Sequence, residues 1–152
     1  MAVERRRRIA VIGPGDALGH IAQLAQQVGQ FLGWAGCDVY TGGLGGVMEA
    51  AARGAIQAGA VTIGILPGSE ASDANTQITI PVATGMGEAR NLILIRSVEA
   101  IIAVGKGYGT LSELAFALRA QKRVVTLESW DIEGVIPAES PEAAVREALR
   151  QA

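Results

Sequence analysis

The chain has 152 residues, 49% of them hydrophobic and 18% charged, with a formal net charge of -2. That length points to one domain able to bury roughly 70% of its unfolded surface, and the composition excludes disorder. No run approaches the ~18 apolar residues of a membrane span, the four apolar residues 9–12 are too few for a signal peptide's core, and an acidic balance with 4% aromatics speaks against a nucleic-acid surface.

Residues 9–12 read as a first strand, preceded by a solvated edge of four arginines and closed by Gly13-Pro14-Gly15. A helix follows over about 17–34, with Leu18, Ile21, Leu24, Ala25, Val28 and Leu32 on one face and Gly36 as its stop. Residues 38–41 make a second strand, 42–46 a glycine loop, 47–58 an alanine-rich helix and 61–66 a third strand. The small polar residues 69–75 read as a mobile loop, and 77–82 as a short strand or extended segment. A helix over about 88–96, a strand over 100–104, a loop over 105–109, a helix over 110–120 and a strand over 124–127 continue the alternation. Ser140 followed by Pro141 is an N-cap with proline at the first helical position, opening a helix that runs to the C-terminus.

Strands alternating with helices imply parallel strands joined by crossovers, and unbroken apolar strands imply cover on both faces. The expected fold is therefore α/β, a doubly wound, mostly parallel sheet with helices on both faces, over residues 1–152 as one domain. The one cysteine, Cys37, allows no internal disulfide, reads as a small buried hydrophobe and fits a cytoplasmic protein. Trp34 and Trp130 read as core or interface anchors. His20 has no acid or cysteine at ligand spacing, so no metal site is expected.

In such a fold ligands sit at the carboxyl ends of the strands, where three glycine loops fall. The first, from Gly13 to Gly19, resembles a dinucleotide fingerprint, but the second strand does not end in the acid that would hold a ribose. A tight packing turn is the alternative. The second contains Gly42, Gly43, Gly45 and Gly46 before a helix, more glycine than one turn requires. It reads as a phosphate cradle or a packing corner. In the third, Gly105-Lys106-Gly107-Tyr108-Gly109-Thr110, a second cradle is expected, with Thr110 capping the helix and Lys106 adding a charge. It is not a P-loop, since no Ser or Thr follows the lysine. Glu113, three residues after Thr110, is either a site carboxylate or the glutamate of a capping box. Arg90, at a helix start after Gly85-Met86-Gly87-Glu88-Ala89, offers a forked donor set for phosphate or carboxylate, or pairs with Glu88 on the surface.

The stretch Gly107-Tyr108-Gly109-Thr110-Leu111-Ser112-Glu113 resembles the Pro-Gly-Gly-x-Gly-Thr-x-x-Glu signature of the Lonely Guy (LOG), or lysine decarboxylase-like, family. Arg90 matches the arginine of that family's Arg-Lys pair, and the loop from Gly42 to Met48 resembles its Gly-Gly-Gly-x-x-Gly-Leu-Met stretch. Gly105 and Lys106 stand where the motif has proline and glycine, and Asn91 where it has lysine. The resemblance implies a Rossmann-like dimer that hydrolyses the N-glycosidic bond of nucleoside 5′-monophosphates without a cofactor; the apolar helix stretches leave a homodimer or a homotetramer open. Arg90 and Glu113 would be catalytic. Gly13, Gly42, Gly43, Gly45, Gly46, Asn91, Lys106, Gly107, Tyr108, Gly109 and Thr110 would bind phosphate or ligand. Short length, Arg90-Asn91 and the Thr41-Gly42-Gly43 loop are closer to a sister branch that includes molybdenum cofactor carrier proteins. That branch implies a non-catalytic carrier or sensor of molybdenum cofactor or a nucleotide. Either way the expected partner is a phosphorylated small molecule, with no nucleic acid and no membrane. Four apolar residues at 92–95 and the apolar stretch 111–118 suggest that these two helices pair between subunits.

Overall fold

The computed structural model describes residues 1–150. Its elements in chain order are β1 (Arg8–Ile12), α1 (Gly19–Trp34), β2 (Asp38–Thr41), α2 (Val47–Gln57), β3 (Thr62–Leu66), β4 (Ile80–Ala83), α3 (Arg90–Arg96), β5 (Ala100–Val104), α4 (Tyr108–Arg119), β6 (Arg123–Leu127), β7 (Ile136–Ala138) and α5 (Pro141–Leu149). One sheet runs β4-β3-β2-β1-β5-β6-β7, with every neighbouring pair parallel. The order reverses between β1 and β5, which makes the carboxyl ends of those two strands the switch point where open sheets bind ligands.

The pleat divides the core in two. Ile9 and Val11 of β1 face α1, α2 and α5, among Ala25, Val28, Leu32, Ala51 and Ala144. Ala10 and Ile12 face the other side, among Leu94, Ile95, Ile101 and Leu114 of β5, α3 and α4. Each buried Ile or Leu contributes about 1.5–3 kcal/mol, and the two layers hold the strand ends in fixed register beneath the loops. Helices α1 and α2 cross so closely that a Cβ on Gly54 would lie 1.9 Å from the Gln26 carbonyl oxygen, and one on Gly29 2.0 Å from that of Ala51. Backbone therefore packs on backbone, leaving no room for any side chain at either position. Ser140 caps α5 by accepting a hydrogen bond from the Ala143 N–H at 3.1 Å, as its position before Pro141 predicts.

Several expectations need revision. Helix α4 begins at Tyr108 with Gly107 as its cap, so Thr110 sits inside the first turn, buried, and does not cap. The capping-box reading of Glu113 falls with it. The strand expected over 77–82 is shifted to Ile80–Ala83, because Thr62 engages the preceding residues through its hydroxyl, donating to the Gln77 carbonyl. Residues 69–75 contain a short 3-10 turn, and Asn75 ties their end to the second glycine loop, donating from its side chain to Leu44 and from its backbone to Gly43. Strand β7 is only three residues long with Pro137 at its centre, and was not legible. Trp34 is 66% exposed and packs edge-on against Phe31 rather than in the core. Cys37 is buried, and burial pushes its thiol pKa up. In the helices expected to pair between subunits, Leu94, Ile95, Leu114 and Ala117 are spent on the chain's own core, leaving Tyr108 and Phe116 exposed.

Candidate functional site

A cavity of about 500 Å³ opens at the switch point, beyond the carboxyl ends of β1, β2 and β5. Of the residues singled out in the sequence, Gly13, Gly42, Arg90, Asn91, Gly107, Gly109, Thr110 and Glu113 line it. All three glycine loops thus reach one rim, but unequally.

Glycine is needed at the floor for space. A Cβ on Gly13 would stand 2.2 Å from the Val104 carbonyl oxygen and 2.6 Å from the Val47 side chain, because the ends of β1, β5 and the start of α2 converge there. A Cβ on Gly42 would stand 2.2 Å from Arg90 Nη1. The remaining glycines of the second loop do not line the cavity. Gly43 has φ +79°, packs on Leu66 and Gly64, and donates its N–H to Thr41 Oγ1. Gly45 and Gly46 press against the carbonyls of Gly15 and Pro14, and Val47 donates its N–H to Pro14. Gly45 and Gly46 thus brace the first loop, while Gly42 and Met48 of the same stretch reach the cavity.

The open donors lie on the third loop. The first-turn amides of α4 have no intrahelical acceptor by position, and Gly109 and Thr110 carry two of them into the cavity wall. The partial positive charge of a helix N-terminus is worth about 0.3–1 kcal/mol to an anion, up to ~2 when partly buried. Lys106 does not line the cavity. Its ammonium lies 5.6 Å from the centre of the Trp130 ring, which also stacks on Tyr108 and donates its indole N–H to the Gly107 carbonyl. Trp130 thereby fixes the turn that presents the amides.

Arg90 is neither a surface residue nor paired with Glu88. Its Nη1 donates to the carbonyls of Gly42 at 2.6 Å and Ile65 at 2.7 Å, tying together the ends of β2 and β3. Its Nε is buried without a partner among the described residues, as is Asn91 Oδ1. Burial lowers the Arg90 pKa, and the nearby Glu113 opposes that effect. Glu113 projects from the second turn of α4. Burial raises its carboxyl pKa to about 7, with Arg90 pulling the other way. A carboxyl so placed exchanges its proton near neutrality, the range suited to acid–base work. Asp16 and Glu88 also line the cavity, so three carboxyl groups and one arginine face it. Sequence reading missed both: Asp16 lay inside a loop read as a tight turn, and Glu88 appeared only as a surface partner for Arg90. Outside the cavity, His20 pairs with Glu128 at 2.7 Å on the exposed surface. Among the described residues no group of His, Cys, Asp or Glu is placed to hold a metal ion, and no helix is long and apolar enough to cross a membrane.

The model of the SLOG cluster4 family matches residues 6–150. The chain belongs to that family. An uncharacterized protein of Archaeoglobus fulgidus is 44% identical over 139 residues, 91% of each chain. The molybdenum cofactor binding protein of Rippkaea orientalis superposes with a TM-score of 0.89 at 38% identity, over 95% of this chain and 96% of that one. The molybdenum cofactor carrier protein of Chlamydomonas reinhardtii does so with a TM-score of 0.84 at 35% identity, over 93% and 95%. The SLOG assignment agrees with the LOG-like resemblance carried by Arg90 and the segment from Gly107 to Glu113.

Proposed function

We propose that this chain holds a phosphate-bearing small molecule, molybdenum cofactor or a nucleotide, and acts as its carrier. One observation carries the reading. A single cavity joins the unpaired first-turn amides of α4 to Arg90, whose buried Nε–H lacks an acceptor. A buried donor without a partner is costly, and a ligand oxygen would satisfy it. The phosphate would lie at the amides of Gly109 and Thr110, over a floor kept open by Gly13 and Gly42, with Arg90 facing its oxygens. The residues present fit the anionic end of either ligand, and the relatives named for molybdenum cofactor support the carrier role.

The test is the small-molecule content of protein purified from cells, read by mass spectrometry. A phosphorylated pterin or nucleotide is expected to copurify with the native chain and to be lost from Arg90→Ala. Native protein free of any such compound, and giving no thermal shift with nucleotides or pterin phosphates, would overturn the proposal.

A second reading, hydrolysis of nucleoside 5′-monophosphates, is favoured by one feature: Glu113 and Arg90, the pair that the LOG resemblance makes catalytic, face the same cavity. A carboxylate there would stabilise the positive charge that grows on the ribose as the base leaves. That reading requires free base from AMP, with release abolished in Glu113→Gln. Tight binding without release leaves the carrier.

A further inference from the structure

A second cavity of about 490 Å³ adjoins the first, between the N-terminal ends of α3 and α4. Glu88, Asn91 and Gly109 line both, so the two spaces share a wall. Their chemistries differ. The first offers backbone amides and Arg90. The second has apolar walls, Leu92 and Phe116, with the ring of Tyr108 at its edge. That ring is 85% exposed, yet stacking on Trp130 holds it in place. Both spaces are lined by Asn91, whose Oδ1 is buried and unpartnered, and by Glu88, whose carboxylate is exposed beside it. An amide oxygen and a carboxylate both take N–H donors. An apolar space bordered by acceptors suits an aromatic heterocycle whose edge carries donors side by side.

We propose that the second cavity takes the ring of the same ligand and reads its edge, with Asn91 Oδ1 and Glu88 accepting from the ring N–H and amino group of a 2-amino-4-oxopyrimidine unit. Guanine and pterins share that edge. Adenine presents a bare ring nitrogen there, which would face the acceptors without a proton. The inference rests on the phosphate reading of the first cavity and adds a specificity to it. A site built to pair a donor rejects the analogue lacking it, because Asn91 Oδ1 is then left buried and unpaired.

The experiment titrates the full chain by calorimetry with GMP, 6-hydroxymethylpterin monophosphate, AMP and ribose 5-phosphate. At least one of the two probes bearing the edge should bind about tenfold or more tightly than both AMP and ribose 5-phosphate; the tighter of the two identifies the source of the ring. In Asn91→Leu that preference should fall to within about threefold, and in Glu88→Gln, which keeps an acceptor and sits on the surface, it should be reduced but retained. Should AMP bind as tightly as both edge-bearing probes, this proposal fails while the phosphate reading stands. If none of the four binds, both fail.

Discussion

Glu113 is the residue on which acidity acts most directly. Its carboxyl pKa rises from 4.5 to about 7 because burial disfavours the charged form more than Arg90 favours it. A raised folded-state pKa means that the folded chain holds this proton more tightly than the unfolded one. The resulting stability is fully present below about pH 4.5 and is lost as pH rises through 7. At the upper limit the loss is about 3 kcal/mol, less whatever solvent screening removes. Glu113→Gln, which imitates the protonated form, should therefore leave the melting temperature unchanged near pH 4.5 and raise it at pH 8. Thermal unfolding across that range checks the sign; a Gln variant less stable than the native chain at pH 8 would show that Arg90 dominates. Glu113 also shows what sequence could and could not say. The pattern Thr110-x-x-Glu113 equally describes a helix start and a site carboxylate. Only the position of the cap, one residue before Tyr108, separates them.

At the scale of elements, the long periodic helices and the buried strands were legible, because α1, β1, β3 and β5 bury continuous apolar surface and write that need into their composition. The short edge elements were less so: β4 was placed over 77–82, early by up to three residues, and β7 was not found. Strand β4 exposes Ile80 and Val82 at the sheet margin and contains Pro81, so neither apolar alternation nor donor pattern marks it. Strand β7 has three residues, with Pro137 at its centre. Glycines were legible as a class but not by role. Gly13 and Gly42 open the cavity floor, whereas Gly29 and Gly54, unremarked in the sequence, let two helices touch. A methyl group on Gly54 would meet backbone rather than a flexible side chain, and no rotamer relieves it. Gly54→Ala gains helix propensity of about 1 kcal/mol but forces α1 and α2 apart. Overpacking of this kind costs typically 1–3 kcal/mol, occasionally more. With a rigid carbonyl 1.9 Å away, the net is expected to be a loss of about 2 kcal/mol, or ~4–8 °C in melting temperature. Calorimetry of the variant reads it directly; an unchanged or higher melting temperature would mean that the two helices part at little cost.

For the molecule as a whole, the parallel order followed from strict alternation, and the switch between β1 and β5 follows from which strand pairs with which, a fact of tertiary structure that local pattern does not carry. The gathering of the Arg90-Asn91 pair and Glu113 with Gly13 and Gly42 depends on that switch, since these segments are separated in the chain and meet at the ends of the neighbouring strands β1, β2 and β5. The arrangement has a kinetic side. Asp16 and Glu88 stand exposed at an opening whose guest is read as an anion, and Arg90, the lone cation among the lining residues, is half-buried. Diffusional encounter is governed by the field outside the door, whereas retention is governed by contacts within. A phosphate ester drifting toward this mouth meets repulsion before it meets any donor. Added electrolyte, which slows the capture of oppositely charged partners, should hasten it here, and stopped-flow mixing at rising ionic strength would make that reversal visible.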